Sequence, residues 1–164
     1  MLFNIYTADI PQCDNTLIAT YADDTAIMAS DSDPKQASQS LQDHLNKIQE
    51  WTNNWHISIN NKKSMHVTFT LRRETCPPVH LQNDVIPQVD NVRYLGMYLD
   101  RRMNWKHHIV IKRRDAHNKF LKLYWLIKRK SELSLENKLV IYKSVIKPIW
   151  TYGIQLWYPY FLRI

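Results

Sequence analysis

The sequence predicts an α+β fold that gives way, beyond Asp100, to a wholly helical part. Two periodicities and one charge asymmetry predict it. In the first hundred positions, two short apolar runs precede one long stretch spaced at three and four, and apolar residues recur at spacings of two after it. After Asp100 the strand signals stop and helical spacing takes over. The charge changes at the same place. Residues 1–100 hold 7 basic and 12 acidic side chains, residues 101–164 hold 15 and 3, and the whole 164-residue chain is +7. A basic half of this kind points to a polyanionic partner. The expected organisation is an acidic α+β part over 1–100 and a basic helical part over 101–164.

The first elements are two short apolar runs, 17–21 and 25–29, flanking Ala22-Asp23-Asp24. Their length suits two strands joined by a tight turn, a hairpin with carboxylates at its tip. Asp31-Ser32-Asp33-Pro34 then announces a helix. Asp33 can cap the free N–H groups, Pro34 takes the first helical position and Gln36 the capping-box position. Ala37, Leu41, Leu45, Ile48, Trp51 or Thr52, and Trp55 follow at spacings of three and four. That pattern predicts an amphipathic helix of about six turns with one face on a sheet.

The period then drops to two. Ile57 and Ile59 alternate with polar residues, Asn60-Asn61 supply a turn, and Met65, Val67 and Phe69 alternate again. Cys76-Pro77-Pro78 is a loop. A second hairpin is expected from 80–82 and 85–86 around Asn83-Asp84, and one further strand over 92–99. In the basic part, Trp105, Ile109, Ala116, Phe120, Leu123 and Ile127 mark one helical face. Lys106, Lys112, Arg113, Arg114, Lys119, Lys122 and Lys128 fall largely elsewhere. Ser134 can cap a second helix with the face Leu135, Leu139, Tyr142 and Ile146, which Pro148 interrupts.

Composition excludes several chemistries. Two glycines, Gly96 and Gly153, cannot build a Gly-rich phosphate cradle or a dinucleotide fingerprint. Two cysteines make neither a four-Cys zinc site nor a disulfide-dense scaffold. The adjacent pair His107-His108 lacks the i, i+4 spacing of a helical zinc site. No apolar run approaches the roughly 20 residues of a membrane span. The opening residues lack the basic flank and apolar core of a signal peptide. An intracellular protein without a membrane partner is expected.

Adjacent aspartates at the tip of an apolar hairpin need a physical reason. Like charges this close repel unless a cation sits near them, and a divalent metal supplies one. Mg²⁺ takes one or two carboxylates together with substrate phosphates. A solvated Asp-Asp turn is the plain alternative, but it does not need Ile18, Ile27 and Met28 to hold it rigidly.

Tyr21-Ala22-Asp23-Asp24 between two apolar strands resembles the YADD catalytic motif of reverse transcriptases. The surrounding sequence resembles the non-LTR (LINE-type) retrotransposon family, and within it the jockey-like group. Leu2-Phe3-Asn4-Ile5-Tyr6-Thr7-Ala8-Asp9-Ile10-Pro11 is similar to the stretch preceding YADD, and Trp55 through Asn60 to Lys63-Ser64 to the next motif. Tyr94-Leu95-Gly96-Met97-Tyr98-Leu99-Asp100 resembles the primer-grip strand. Trp105, His108-Ile109, Pro148, Tyr152-Gly153 and Trp157 follow the thumb pattern.

The resemblance implies the C-terminal part of a polymerase palm followed by a helical thumb. It implies RNA-directed DNA polymerisation by two-metal phosphoryl transfer with Mg²⁺, or Mn²⁺ in its place. One ion activates the primer 3′-hydroxyl and the other stabilises the leaving pyrophosphate. By this match Asp23 is the principal metal ligand, Asp24 its companion, and Tyr21 lies beside the primer terminus. Lys63 matches the residue that protonates or neutralises the departing pyrophosphate, and Tyr94, Leu95 and Gly96 carry the primer grip. The missing Cβ of Gly96 is expected to allow close approach of a nucleic-acid strand. Arg113, Arg114, Lys128, Arg129 and Lys130 are the candidates for phosphate contact. The implied partners are an RNA template, a DNA primer, deoxynucleoside triphosphates, and the rest of the polymerase, its fingers and upstream palm.

The family's first catalytic aspartate lies upstream of the segment at Leu2 and is not in this chain. The expectation is therefore a fragment of a larger enzyme, or the product of a truncated element, that does not polymerise alone. The competing expectation is a non-catalytic nucleic-acid-binding relic. A two-metal nuclease, which would need further acidic or histidine ligands near Asp23, ranks below both. If the chain folds alone, an open sheet edge prone to self-association is expected.

Overall fold

A computed structural model describes residues 7–161, without the side chains of 159–161. The opening residues 2–6 of the stretch before YADD, and the signal-peptide argument built on 1–6, therefore lie outside the described residues. The chain forms two compact units, Met1–Leu95 and Gly96–Ile164.

The first unit is built on a helix. Strands β1 (Thr16–Tyr21) and β2 (Asp24–Ala29) form an antiparallel hairpin in which Ile18 faces Ile27 and Tyr21 faces Asp24. Helix α1 (Pro34–Asn54) follows with Pro34 in its first turn and Asp33 as N-cap. The Asp33 carboxylate accepts the Lys35 N–H at 2.9 Å. The expected capping box is replaced, because Asp31 rather than Gln36 accepts the Asp33 N–H, at 2.8 Å. The helix runs 21 residues and buries Leu45, Ile48, Ser38, His44 and Thr52. Its apolar stripe packs with Val79, Leu81 and Ile86, and Ile27, Leu41 and Ile59 flank that cluster.

Two buried polar residues tie the helix to what precedes it. His44 is fully enclosed. One ring nitrogen, Nε2, lies 2.9 Å from the Pro11 carbonyl and the other, Nδ1, 2.6 Å from the Thr16 hydroxyl. With Nε2–H donating to Pro11, Nδ1 is left to accept from Thr16, so both nitrogens are satisfied. Nearby, the indole N–H groups of Trp51 and Trp55 both donate to the Asp9 carboxylate, at 3.2 and 3.1 Å.

The alternating stretch 57–69 is not the pair of strands expected. It contains a 3₁₀ turn, Asn61–Lys63, and one parallel bridge, His66 to Gln88. The alternation does not mark a core face here, since Met65 and Phe69 are exposed while the intervening His66 is buried, and a ladder also needs a partner strand. The facing segment includes Pro87, which accepts from the His66 N–H at 3.0 Å and has no N–H to give back. The second hairpin is present as β3 (His80–Leu81) and β4 (Asp84–Val85), displaced by one residue from the expected turn. Its loop residues Gln82 and Asn83 both have positive φ, 51° and 66°, the sign pattern of a type I′ turn.

The single strand expected over 92–99 is two strands, β5 (Asn91–Tyr94) and β6 (Met97–Asp100). The break is a tight turn at Leu95 and Gly96, whose φ values of 46° and 76° no extended strand contains. The division between the units falls in this turn.

The second unit comprises β6 and the helices. Helix α2 (Lys106–Ile127) is followed by α3 (Leu135–Ile141), a π turn (Tyr142–Ile146), α4 (Lys147–Thr151) and α5 (Ile154–Phe161). Ser134 caps α3 as expected, accepting the Asn137 N–H at 3.3 Å. Pro148 does not break the helix. The chain passes through the π turn, where the Lys147 N–H donates to the carbonyl of Tyr142, five residues back. Only Ile146 of the expected α3 face is buried, while Leu135 is 82% exposed and Leu139 and Tyr142 also face solvent.

The entry to α2 is held by one buried carboxylate. Asp100 accepts the N–H groups of Arg102 and Asn104 at 3.1 Å and of Trp105 at 2.9 Å. These bonds pin a bend in which Met103 and Trp105 take φ values of 51° and 60°. For a bulky residue such as Trp105 that conformation costs about 1–2 kcal/mol. Truncating Asp100 leaves three backbone donors short of a charged acceptor, each worth about 1.5–3 kcal/mol. Asp100→Ala is therefore expected to lower stability by about 3 kcal/mol or more, and Asp100→Asn by less, in urea unfolding. A decrease below about 1 kcal/mol for the alanine variant contradicts this role.

Candidate functional site

The carboxylate pair sits where the sequence puts it. β1 and β2 pair from Thr16 opposite Ala29 to Tyr21 opposite Asp24, leaving a two-residue loop, Ala22-Asp23. Ala22 has φ 52°. Positive φ at the first loop position alone is the sign pattern of a type II′ turn, where glycine is the usual occupant. Alanine holds this conformation at a cost, the kind of local strain that concentrates at functional sites. Asp23 is therefore a loop residue and Asp24 the first residue of a strand, so neighbouring aspartates occupy different backbone environments.

The hairpin has two unlike faces. Successive strand residues alternate sides. Ile18 and Ile27 are on the half-buried side, and Ile27 joins the core against α1. Leu17, Tyr21 and Met28 are on the other side and are exposed, Tyr21 at 67%. Both aspartates are open to solvent. The site is thus an open, rigidly backed carboxylate tip with a tyrosine ring beside it on an uncovered apolar face.

The remaining sequence-derived candidates are spread out. Lys63 closes the 3₁₀ turn Asn61–Lys63 and is exposed. Among the described residues no hydrogen bond or ion pair joins it to either carboxylate. No group of three potential metal ligands occurs among the described residues either. Tyr94 ends β5, and Leu95 and Gly96 form the tight turn rather than a strand.

At Gly96 the structure adds a backbone reason for glycine. Its φ is +76°, and a Cβ placed there would lie 3.4 Å from Cε1 of the Tyr152 ring. The left-handed φ of the turn is what favours glycine here, and the Tyr152 ring sits within ordinary contact distance of that would-be Cβ. Gly153 is under a similar constraint, with φ +67° and Sδ of Met97 only 2.7 Å from a would-be Cβ.

Arg113 and Arg114 are exposed on α2. Lys128 is its C-cap, with its N–H on the Tyr124 carbonyl at 2.8 Å, and Arg129 and Lys130 are exposed just beyond. Cations at that end also complement the negative pole of a 22-residue helix. Among the described residues no helix is long and apolar enough to cross a membrane.

The thumb-pattern residues form a packing cluster within the second unit. The edge of Trp105 meets His108 at 6.0 Å between ring centroids, and Trp157 lies on His108 at 6.4 Å. The Trp157 indole donates to the Tyr152 carbonyl at 3.1 Å, and Lys112 Nζ sits 5.3 Å from the Tyr152 ring centroid. Residues that sequence reasoning missed are Asp9, His44 and Asp100. Trp51 and Trp55, one helical turn apart, were the available signal for Asp9. His44, falling between Leu41, Leu45 and Ile48 in the helical register, was the signal for its own burial.

Residues 1–99 match the reverse transcriptase (RNA-dependent DNA polymerase) family, and this chain belongs to it. Among curated relatives it is 39% identical over 162 residues to the probable RNA-directed DNA polymerase from transposon X-element of Drosophila melanogaster. It is 35% identical over 164 residues to the RNA-directed DNA polymerase from mobile element jockey of Drosophila funebris. It is 33% identical over 168 residues to the probable RNA-directed DNA polymerase from transposon BS of Drosophila melanogaster. These alignments cover 95–96% of this chain and 18% of each relative. No solved structure matches.

The strain at Ala22 is directly measurable. Ala22→Gly relieves the left-handed conformation but adds freedom to the unfolded chain, so a small net gain of up to about 1 kcal/mol is expected. Ala22→Val, β-branched at positive φ, is expected to cost more than about 1 kcal/mol. Urea midpoints for the two variants moving in the same direction would contradict the assigned turn.

Proposed function

We propose that this chain is part of the RNA-directed DNA polymerase of a non-LTR retrotransposon, with 1–100 ending the palm and 101–164 forming thumb. The observation that carries the reading is the solvent-open Asp23-Asp24 tip on a hairpin backed by α1, in a chain of the reverse transcriptase family. The names of the relatives, all RNA-directed DNA polymerases of transposons or mobile elements, support it.

The donor set fits Mg²⁺ in the manner of a nucleotidyl-transfer site. Two exposed carboxylates, without a third ligand grouped beside them among the described residues, cannot cage a cation alone. They match the one or two carboxylates that Mg²⁺ takes along with substrate phosphates. When bound, divalent ions supply Lewis-acid stabilisation of the phosphoryl group. Asp23, in the loop, holds the cation from the tip, and Asp24 does so from the strand. Tyr21 offers its exposed ring beside the tip to a primer terminus. Lys63 provides a mobile cation for the departing pyrophosphate. Tyr94, Leu95 and Gly96 present a backbone turn to the primer. Arg113, Arg114, Lys128, Arg129 and Lys130 contact phosphates of the template–primer. The substrates in this reading are deoxynucleoside triphosphates, an RNA template and a DNA primer. The remaining carboxylate and the fingers come from the rest of the polymerase, so residues 1–164 by themselves are inactive.

Two experiments test this reading. Placed in the jockey polymerase in exchange for the matching segment, the chain is expected to support primer extension on an RNA template with Mg²⁺. Asp23→Asn is expected to reduce that extension about 10²–10³-fold, the scale on which electrostatic catalytic groups act. Extension indifferent to Asp23→Asn would sink the assignment, and a chimera that binds primed template without extending it would favour a non-catalytic relic. In the second experiment, binding of residues 1–164 to a primed template is measured against salt. Reversing charge at Arg113, Arg114 and Lys130 should reduce the log–log slope by about 0.9 for each phosphate no longer neutralised. An unchanged slope would place the nucleic acid elsewhere.

A further inference from the structure

We propose that His108 is a positioning residue for the Gly96 side of the Leu95–Gly96 turn, and that it holds β6 only while its imidazole is neutral. His108 lies in the first turn of α2 and is fully enclosed. Its Nδ1 accepts the backbone N–H of Tyr98 at 3.2 Å. A nitrogen that accepts carries no proton, so the neutral ring keeps its one proton on Nε2. That Nε2 is buried and makes no well-formed hydrogen bond among the described residues, although the Tyr152 carbonyl lies close enough to act on the ring.

A second proton has only one place to go. On Nδ1 it would point directly at the Tyr98 N–H, and two donors cannot share a hydrogen bond. Protonation therefore removes the bond that ties β6 to α2, two residues from Gly96. The turn is already demanding there, with Gly96 at φ +76° against the Tyr152 ring. The surrounding rings, Tyr98, Trp105 and Trp157, offer the cation no alternative hydrogen-bond acceptor on the ring faces.

The groups facing His108 decide the direction. From β6 come Tyr98 and the buried Asp100, whose carboxylate is engaged by the N–H groups of residues 102, 104 and 105. From α2 come His107, whose ring meets Tyr98 edge-on at 5.5 Å, and Lys112. From the segment before α5 comes the Tyr152 carbonyl, with Trp157 donating to it. Burial is the largest influence and lowers the His108 pKa below its ordinary 6.5; the Lys112 charge lowers it further, and the Tyr152 carbonyl partly opposes both. The released state titrates near about 6.5. Above that value both states are neutral and the latch is fully present. Below it the released state takes up the proton first, and the latch is lost as pH falls through the lowered folded value.

The test is amide and imidazole NMR on residues 1–164 between pH 7.5 and 5. The Tyr98 and Gly96 amide resonances are expected to move together with the His108 ring, with a midpoint below 6.5. In His108→Asn, Oδ1 accepts the same N–H and does not titrate, so the Tyr98 amide should stay at its neutral-pH position throughout. In His108→Leu it should sit at the acid position already at pH 7.5; if that variant does not fold, the asparagine variant decides. A Tyr98 amide that stays fixed while His108 titrates, or a midpoint at or above 6.5, overturns the proposal. The functional consequence rests on the polymerase reading: binding to a primed RNA template should weaken below the midpoint in the wild type and not in His108→Asn. NMR behaviour as expected with binding indifferent to pH would uphold the latch and count against the turn as a primer contact.

Discussion

The packing of α1 against the β1–β2 hairpin is the constraint on which the candidate site depends. A two-stranded hairpin alone is marginal in water, and no third strand pairs with this one among the described residues. Its rigidity therefore comes from the helix beneath it. Ile27 reaches the cluster of Leu45, Val79, Leu81 and Ile86, and His44 clamps Thr16, the first residue of β1, to the loop carbonyl of Pro11. The Asp33 cap and Pro34 start the helix just after β2 ends, so hairpin and helix are held in register by local sequence. With the base fixed in this way, the tip can carry a strained residue and two unshielded carboxylates.

Left-handed backbone recurs at several turns, and at Ala22 and Trp105 something nearby compensates. Ala22 takes positive φ under a six-residue antiparallel ladder. Trp105 takes it under the Asp100 carboxylate. Gly96 takes its φ of +76° without such a cost. Left-handed backbone at non-glycine residues costs about 1–2 kcal/mol each, so these positions persist only where hydrogen bonds or packing overdetermine them.

Legibility in the sequence tracked how local each cause was. The YADD hairpin, the Asp33–Pro34 helix start and the Ser134 cap rest on residues within a few positions of one another, and all three are present. The strands expected over 57–69 are absent: Met65 and Phe69 are exposed and His66 is buried, so the apolar alternation marks no core face, and a ladder needs a donor that Pro87 does not supply. The strand over 92–99 is split because Leu95, an ordinary strand residue by propensity, joins Gly96 at positive φ. Leu135 and Leu139 have core-like spacing but face solvent, since periodicity cannot say whether anything lies opposite. At the site, the carboxylates were legible from the motif and their turn strain was not. His108 and Trp105 were legible as pattern residues, but their packing role needed coordinates.

The charge asymmetry takes on a more specific meaning once each charged group is placed. In the acidic part Asp23 and Asp24 are open to solvent, while Asp9, Asp31, Asp33 and Asp100 each accept hydrogen bonds from nearby N–H groups. A carboxylate engaged by backbone or indole donors is already compensated; one at a strained, open tip is available to an external cation. The basic part divides in the same way. Lys112 is committed to the Tyr152 ring and Lys138 to the Lys128 carbonyl, whereas Arg113, Arg114, Arg129 and Lys130 lie exposed. Net charge alone could not separate structural from available charges. The distinction between satisfied and open groups can, and on the proposed reading the YADD tip belongs to the open class that is free to meet a metal and substrate phosphates.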